Sequence, residues 1–516
     1  MDAKLLEYNA LDSACTLQCK DGFWPELMDG FLPAYDMTLD LFPVLMFIQT
    51  RGVKVSMDAL VSTRDEIIAT AKIKQEELNE ICGRELNTNS SKDCQQYFYV
   101  ELGISPYLDE GKITVNDIAL QRLSRGTAKR PGLRQAKLVQ EIRGLQKLHS
   151  TYLNIEFDTD ERMRASYNPR GTKFGRLSSS KTIFGTGTNF QNLPQEFKRF
   201  LVADPRYCFW EVDKRQAEWV VVAYLTGDAN MISAVERGQD IHVHTASLIF
   251  GVEAEVVELE GKLVGYETDP DRITELRNSD PILAKYCGNF PRTMSARQCG
   301  KKSNHGFNYD EGPNRWALIN EVELAEGKRI HAMYHQIYPG IRVWYQSIQR
   351  QLQRDRCLVN CFGRKVRFMG SWDLDLWKAA YSFLPQSSVV DSLNQGMVKI
   401  YNNDELCSDK GCNIDILAQV HDSILMQVPL EVVNSNTSTA GANYQAGSFD
   451  KVREQVYDYV SPDLSYNNRS FKIATDSKMG FNWGGKSKTN PQGMREVQTN
   501  ADISTLLETL DEQGTE

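Results

Sequence analysis

The sequence lacks the paired cysteines on which zinc sites and disulfide frameworks depend. Its eleven cysteines are an odd number and include no C-x-x-C pair. Zinc sites need tighter pairs with further Cys or His ligands. The cysteines are therefore interpreted as structural thiols of a reducing compartment. The nearest spacings are Cys15/Cys19, Cys357/Cys361 and Cys407/Cys412.

Long apolar runs are lacking as well. Phe42–Ile48 and Trp219–Leu225 fall far short of the roughly 20 residues that a membrane-spanning helix needs. The first 22 residues contain no continuous apolar core, so no signal peptide is predicted. These absences predict a cytoplasmic protein without a membrane partner.

The composition is that of a folded globular chain. Its 516 residues are 41% hydrophobic and 25% charged, which predicts two to four structural units and excludes a disordered or collagenous chain. The net charge of −9 does not by itself indicate a nucleic-acid binder. Residues 112–150, however, contain nine Lys or Arg against two acidic residues. A nucleic-acid surface and a solvated helical face both remain open for this stretch.

Local patterns divide the chain into segments. Helical periodicity over 56–82 and 135–153 predicts a mostly helical module with a basic connector at Arg125–Arg134. Residues 170–194 are rich in Gly, Ser, Thr and Asn, which predicts loops, and 241–355 are predicted to be helical. Residues 434–448 are predicted to form a flexible loop.

Two aspartates stand where strands end. Asp213 follows the β-prone run Cys208–Val212, and Asp422 lies between two β-rich runs that indicate a hairpin. Two such carboxylates can hold two hard cations for in-line phosphoryl transfer. An Asp at a strand end is more often a cap or turn residue, so spacing alone leaves this open.

The segment RQCGKKSNHGFNY places four functional side chains on one helical face. They recur every four residues, which brings two cations, an imidazole and a phenol into one stripe. The cations could bind a triphosphate and the rings could stack on a base. An exposed basic helix with two packing aromatics is the alternative. The four residues are Arg297, Lys301, His305 and Tyr309.

Taken together, the motifs resemble family A DNA polymerases, the DNA polymerase I family. The likeness covers about 40–485 and includes DKRQAEWVVVAYLTGD (213–228, motif A), RQCGKKSNHGFNY (297–309, motif B) and QVHDSILMQVP (419–429, motif C). GRLSSS (175–180) and NFQNLP (189–194) resemble the segment that contacts primer and template. Their order along the chain also fits.

The resemblance implies an α+β right-hand fold whose antiparallel palm sheet carries both aspartates. It assigns 1–40 to the end of a 3′–5′ exonuclease domain with a linker, and 41–155 to a helical thumb. Residues 156–235 and 356–486 would form the palm, 236–355 the helical fingers, and 487–516 a polar acidic tail.

The resemblance also assigns roles to single residues. Asp213 and Asp422, assisted by the Lys214 carbonyl, would hold two Mg²⁺ ions, with Mn²⁺ as a possible substitute. Lys301 would act as general acid. The residues implied to bind the incoming dNTP are Arg297, Lys301, His305, Tyr309, Glu218, His242 and Gln216. Those implied to bind primer–template DNA are Arg176, Asn189, Gln191, Asn192, Gln386 and His421.

The implied function is template-directed DNA synthesis in replication or repair. A single-subunit RNA polymerase and a non-catalytic, polymerase-derived scaffold are the alternatives. Glu218 at the sugar position disfavours the first, and the intact Asp213 and Asp422 disfavour the second. The expected location is the cytoplasm of a bacterium or of a phage-infected host.

Several positions depart from the family pattern, which weakly suggests a phage. His305 stands where Phe or Tyr is usual, and we expect it still to stack on the nucleotide. Ser423 replaces a Glu, Asp310 replaces a Gly, and Lys214-Arg215 replace Tyr-Ser.

The N-terminus departs most from the family. EYNALDSACT (7–16) resembles only the end of the exonuclease domain, with Tyr8 and Asp12 matching its last motif. We therefore expect this chain not to proofread by itself. The rest of that domain is either encoded separately, as a 3′–5′ exonuclease polypeptide that docks here together with other replisome proteins, or missing because the sequence is truncated.

Overall fold

The structure is a computed structural model. It describes residues 3–109, 111–127, 130–407, 411–434 and 448–511. Almost all of the predicted loop at 434–448 lies outside these residues, as do two residues of the basic connector.

A curled nine-stranded sheet forms the centre of the palm. All neighbouring strands in it are antiparallel except Asn482–Gly485 and Gly493–Glu496, which run parallel. The strand Tyr207–Lys214 lies inside the sheet, between Ser423–Pro429 and Thr475–Gly480. Cys208, Trp210 and Val212 are buried on one face, whereas Glu211 and Asp213 lie on the other face and are half-buried. The spatial order is Asp415–Val420, Ser423–Pro429, Tyr207–Lys214, Thr475–Gly480, Gly493–Glu496, Asn482–Gly485, Leu201–Val202, Val53–Val55 and Arg162–Met163.

Among the described residues, five two-stranded ribbons lie outside this sheet. The pairs are Tyr107–Asp109 with Lys112–Thr114, Gly126–Thr127 with Arg130–Pro131, Ser166–Asn168 with Ser178–Ser180, Cys357–Val359 with Lys365–Arg367, and Leu464–Tyr466 with Arg469–Phe471.

The thumb segment is mostly helical and has its own apolar core. Leu78, Phe98 and Leu138 are among the buried residues of that core. Its helices are Met57–Cys82, Ser91–Gln95, Asp117–Arg125 and Arg134–Lys147, with wider π-type turns at Gln96–Glu101 and Leu148–Leu153.

The fingers consist of helices around a second core that contains Phe307, Trp316 and Tyr334. A buried ion pair, Arg277 Nη2 to Glu260 Oε1 at 2.5 Å, lies between two of these helices. The helices after the motif A strand are Ala217–Thr226, Ala229–Glu236, Ile241–Phe250, Ala254–Val264, Pro270–Asn278, Leu283–Tyr286, Ala296–Phe307, Pro313–Ile319, Leu324–Ile337 and Gly340–Asp355, with a 3₁₀ turn at Cys287–Asn289.

The longest buried helix, Leu374–Tyr401, contributes to the core of both the palm and the fingers. Smaller helices complete the palm and its flanks. They are Gln195–Lys198, Asp404–Cys407, Leu430–Val433 and Ser448–Val460, with a 3₁₀ turn at Phe190–Asn192.

The prediction of a polar tail at 487–516 is wrong for its described part. Gly493–Glu496 is a strand of the main sheet, and Asn500–Asp511 is a helix whose Ile503 and Leu506 are buried in the palm core. The segment is acidic overall, and the prediction therefore overlooked its few apolar residues with helical spacing. The predicted thumb segment also includes Val53–Val55, which pairs within the palm sheet.

The absence of a membrane-spanning candidate is also not upheld. The N-terminal helical segment Ala3–Arg51 has an 18-residue window with a mean hydropathy of 1.4, which satisfies length and composition criteria alone. It consists of Ala3–Glu26 and Leu32–Arg51, joined by a kink at Leu27–Phe31. The second helix packs on the palm through Leu41, Val44 and Ile48, as a core helix of a folded domain does.

Candidate active site

The sheet register brings the two predicted aspartates to one place. Asp213 lies opposite Ser423, the residue after Asp422, and the Lys214 amide donates to the Asp422 carbonyl at 3.3 Å. Asp422 occupies the tight turn between Asp415–Val420 and Ser423–Pro429, as the hairpin pattern predicted. Both carboxylates line a cavity of about 490 Å³.

Burial and like charge act on both groups. Burial, then the neighbouring Glu211 and Asp422, raise the pKa of Asp213 to about 6. Burial and Glu218 likewise raise the pKa of Asp422. The protein therefore brings negative groups together in a poorly hydrated site, which favours a bound cation or a proton.

The donor set suits a hard divalent cation. Asp422 Oδ1 is buried and accepts no hydrogen bond from the described residues. The described part of the chain contains no cluster of three or more His, Cys, Asp or Glu arranged as metal ligands. An ion held here by two carboxylates and a backbone carbonyl would keep water or substrate oxygens as its remaining ligands, as Mg²⁺ commonly does.

The Lys214 side chain is buried, and its ammonium group lies in the core beneath the aspartates. The side chain is 4% exposed, and its Nζ donates to the Ser392 hydroxyl. Burial lowers the pKa of this lysine to about 7, while Asp422 acts to raise it. The residue therefore places a partial countercharge below the carboxylates.

The motif B segment forms the opposite wall as the helix Ala296–Phe307. Ser295 caps it by accepting from the Gln298 amide at 3.3 Å. Lys301, His305 and Tyr309 line the cavity, although Tyr309 lies two residues beyond the helix end. Arg297, the first residue of the predicted stripe, is not part of this lining.

Arg297 is already paired. Its Nε and Nη2 donate to Asp240 Oδ2 at 2.9 and 2.8 Å. The same aspartate caps the helix Ile241–Phe250 by accepting from the His242 and Val243 amides. Asp240 thus fixes both the arginine and the helix that carries His242, and a triphosphate would have to compete for the arginine.

Two histidines and Gln216 lie beside this pair. His242 Nδ1 is 3.1 Å from Asn304 Nδ2, and burial lowers the pKa of His242 to about 3, so its imidazole is neutral. The His305 ring lies 6.0 Å from it, and loss of hydration lowers the pKa of His305 as well. Gln216 contacts Asp240 Oδ1 through its Nε2 at 3.4 Å.

Glu218 is held between two side chains. Tyr309 Oη donates to its Oε2 at 2.5 Å, and Arg176 forms an ion pair with its Oε1. The carboxylate is half-buried at the cavity wall, and it is therefore fixed in one orientation.

Among the predicted DNA-binding residues, Gln191 and Asn189 fix turns, whereas Asn192 and Gln386 do not line the cavity. Gln191 Nε2 donates to the Gln419 carbonyl at 2.8 Å, and its Oε1 accepts from the His421 amide at 2.9 Å. Gln191 therefore fixes the motif C turn. Asn189 caps the following turn, whereas Asn192 is exposed, and Gln386 is half-buried away from the cavity lining.

Sequence reasoning missed Glu211, Lys198 and Lys478, which also line the cavity. Glu211 Oε1 accepts from Ser423 Oγ and Trp483 Nε1, both at 3.3 Å. A carboxylate from the neighbouring strand thus lies beside the serine that replaces the usual glutamate. Strand alternation could have found Glu211, two residues before Asp213. No local signal places the two lysines here.

The chain resembles known proteins over most of its length. The model of a family described as DNA polymerase family A matches residues 57–262 and 289–451. The chain is 25% identical over 412 residues to the thermostable DNA polymerase I of Thermus aquaticus, and 26% identical over 455 residues to DNA polymerase I of Lactococcus lactis subsp. lactis. These alignments cover 76% and 83% of the chain but only 43% and 46% of the relatives.

A solved structure has the same fold. The POL domain of Pol1 from M. smegmatis, in complex with DNA primer-template and dNTP, matches with a TM-score of 0.66 at 20% identity. The match covers 86% of this chain and 70% of that one. The predicted α+β right-hand architecture is confirmed. The chain spans less than half the length of the curated relatives described above.

The raised pKa of Asp213 predicts a pH effect on stability. Because the folded state holds this proton more tightly than the unfolded state, metal-free stability should fall as pH rises from 3.8 to about 6. Asp213→Asn should remove that loss and stabilise the metal-free protein at pH 7 by up to about 3 kcal/mol. Denaturant unfolding in EDTA at pH 5 and pH 7.5 measures the free energy of unfolding of the wild type and of the variant.

Asp65→Asn, at an exposed thumb carboxylate, is the matched control and should leave the pH dependence unchanged. Added Mg²⁺ should raise the unfolding midpoint of the wild type and of the control, but less that of Asp213→Asn. Equal pH dependence in all three proteins would contradict the assignment.

Proposed function

The chain belongs to DNA polymerase family A, and from this premise we propose that it is a DNA-directed DNA polymerase. It would add dNTPs to a primer 3′-OH under the direction of a template. The observation that carries the proposal is that the two aspartates and the Lys301 face of the motif B helix line one and the same cavity.

Asp213, Asp422 and the Lys214 carbonyl would hold two Mg²⁺ ions, for which Mn²⁺ could substitute. Bound there, the ions would supply Lewis-acid stabilisation to the attacking and leaving oxygens. The strand register keeps both carboxylates at the same end of the sheet without further rearrangement.

The motif B helix binds the incoming nucleotide. Arg297 exchanges Asp240 for the triphosphate, and Lys301 contacts the phosphates and donates a proton to the departing pyrophosphate. The bond from the primer oxygen to the α-phosphorus forms while the bond between the α-phosphorus and the bridging oxygen breaks. His242, neutral and buried, and Gln216 help to position the phosphates.

Glu218 selects the sugar. Held by Tyr309 and Arg176, its carboxylate would exclude a ribose 2′-OH and accept a deoxyribose. This arrangement favours DNA synthesis over the alternative of an RNA polymerase. His305 would stack on the nucleotide from the same wall.

The remaining candidates bind the primer–template. Arg176, Asn189, Gln191, Asn192, Gln386 and His421 would contact the primer end and minor groove, where acceptors common to all base pairs allow synthesis on any sequence. The thumb would hold the duplex through its phosphates. We propose a role in replication or repair in the cytoplasm of a bacterium or of a phage-infected host.

Primer extension tests the activity. On a recessed primer–template with Mg²⁺, we expect extension with dNTPs, little with rNTPs, and none by Asp422→Ala. Duplex binding by Asp422→Ala, measured in parallel, shows that the variant is folded. Efficient extension with rNTPs would favour the RNA polymerase alternative, and wild-type duplex binding without any extension would favour the scaffold.

The proposed stacking of His305 predicts an effect of its charge. Because its pKa is lowered below 6.5, the wild-type ring is neutral at pH 7 and becomes charged only as the pH falls. His305→Phe should alter nucleotide KM and dideoxynucleotide discrimination, and should abolish the pH dependence of KM below pH 6.5. Unchanged affinity, discrimination and pH profile in single-nucleotide insertion would refute the stacking role.

We also propose that proofreading, where it occurs, comes from a separate 3′–5′ exonuclease polypeptide that docks near the N-terminal helix or acts with other replisome proteins. The helix Ala3–Glu26 has no buried residue and exposes Leu5, Tyr8 and Phe23. The purified chain should not shorten a mismatched primer. Affinity capture from the native source should recover a nuclease, and capture of none would count against the proposal.

A further inference from the structure

The thumb and the fingers touch through one carboxylate. Arg122 Nε of the thumb donates to Glu321 Oε1 of the fingers at 3.1 Å, and Arg125 forms an ion pair with Glu321 Oε2. The three side chains are 26%, 14% and 15% exposed. Both carboxylate oxygens are therefore bound, and the ion pairs are partly shielded from water.

Two further hydrogen bonds extend the contact. Arg122 Nη2 donates to the Leu318 carbonyl at 3.3 Å, and Gln121 Nε2 donates to Thr268 Oγ1 at 3.4 Å. The contact is polar, in contrast to the apolar cores that hold each of the two units together. Partly exposed ion pairs of this kind are modest in strength, so they can open and close reversibly.

Local structure on each side presents the charges. Arg122 and Arg125 are three residues apart in the helix Asp117–Arg125, which places them on one face. Glu321 lies in the turn between Pro313–Ile319 and Leu324–Ile337, with a φ of 54°. This left-handed conformation is unusual for a residue with a side chain, and it points to a turn built around the carboxylate.

The thumb and the fingers are both attached to the palm, and the contact joins them to each other as well. The thumb joins the sheet near Val53–Val55, and the fingers follow the helix Ala217–Thr226. Because each unit is also joined to the palm, their direct contact closes a ring of protein. Lys302 of the motif B helix lies within electrostatic reach of Arg125 and Glu321.

We propose that Arg122, Arg125 and Glu321 form a latch that closes the thumb against the fingers and encloses the primer–template. The proposal rests on the DNA polymerase function proposed above. A closed latch slows the escape of a bound duplex, and it also slows entry because it must open first. The latch acts on residence of the DNA, and it is separate from the groups that contact the reacting phosphates.

Glu321→Gln tests the latch by removing its only carboxylate while keeping its shape. The matched control is Glu323→Gln, at an exposed carboxylate two residues away. Mixing the protein with a labelled recessed primer–template gives the association rate. Adding a heparin trap to the preformed complex gives the dissociation rate. Loss of the latch should speed both rates by about threefold to tenfold and leave single-nucleotide insertion by bound enzyme unchanged.

A charge swap provides the second arm. Replacing both Arg122 and Arg125 with Glu should speed dissociation, and adding Glu321→Arg should slow it again because both ion pairs re-form with reversed polarity. Rates equal to the control in Glu321→Gln, or no recovery in the triple variant, would overturn the latch. Failure of the wild type to extend a primer would instead overturn the proposed function. In that case the association and dissociation rates would still test the latch.

Discussion

The burial of Asp213 and Asp422 beside further carboxylates is the constraint around which the site is built. Two carboxylates in a poorly hydrated cavity cost free energy unless a cation, a proton or a rigid scaffold offsets it. The antiparallel register of Tyr207–Lys214 with Ser423–Pro429 provides that scaffold, since the paired backbones cannot separate without breaking the sheet. Lys214 adds a buried countercharge beneath them.

Around this pair, most candidate site residues are already bound to one another. Gln191 fixes the motif C turn, Tyr309 and Arg176 fix Glu218, and Asp240 fixes Arg297. Such contacts limit side-chain motion before substrate arrives, and a substrate must exchange some of them for its own. A site held in this way needs little ordering when its ligand binds.

The motif B helix is held as part of a larger unit. Glu260, in the buried ion pair with Arg277, accepts from the Ala296 amide at the start of the helix at 2.9 Å. At Gly300 an added Cβ would come within 2.2 Å of the His242 carbonyl. Only glycine permits this close approach of two helices, so Lys301 and His242 are kept in a fixed relation on one wall of the cavity.

The sequence by itself determined the local elements. Periodicity and turn chemistry predicted the helix at 56–82, the strand before Asp213 and the hairpin around Asp422, because neighbours in the chain decide these features. Only the tertiary structure decided that Glu211 lies beside Ser423, that the acidic C-terminal segment completes the sheet, and that Glu321 meets the thumb. Those contacts join residues far apart in sequence, and packing and charge pairing in the folded chain select them.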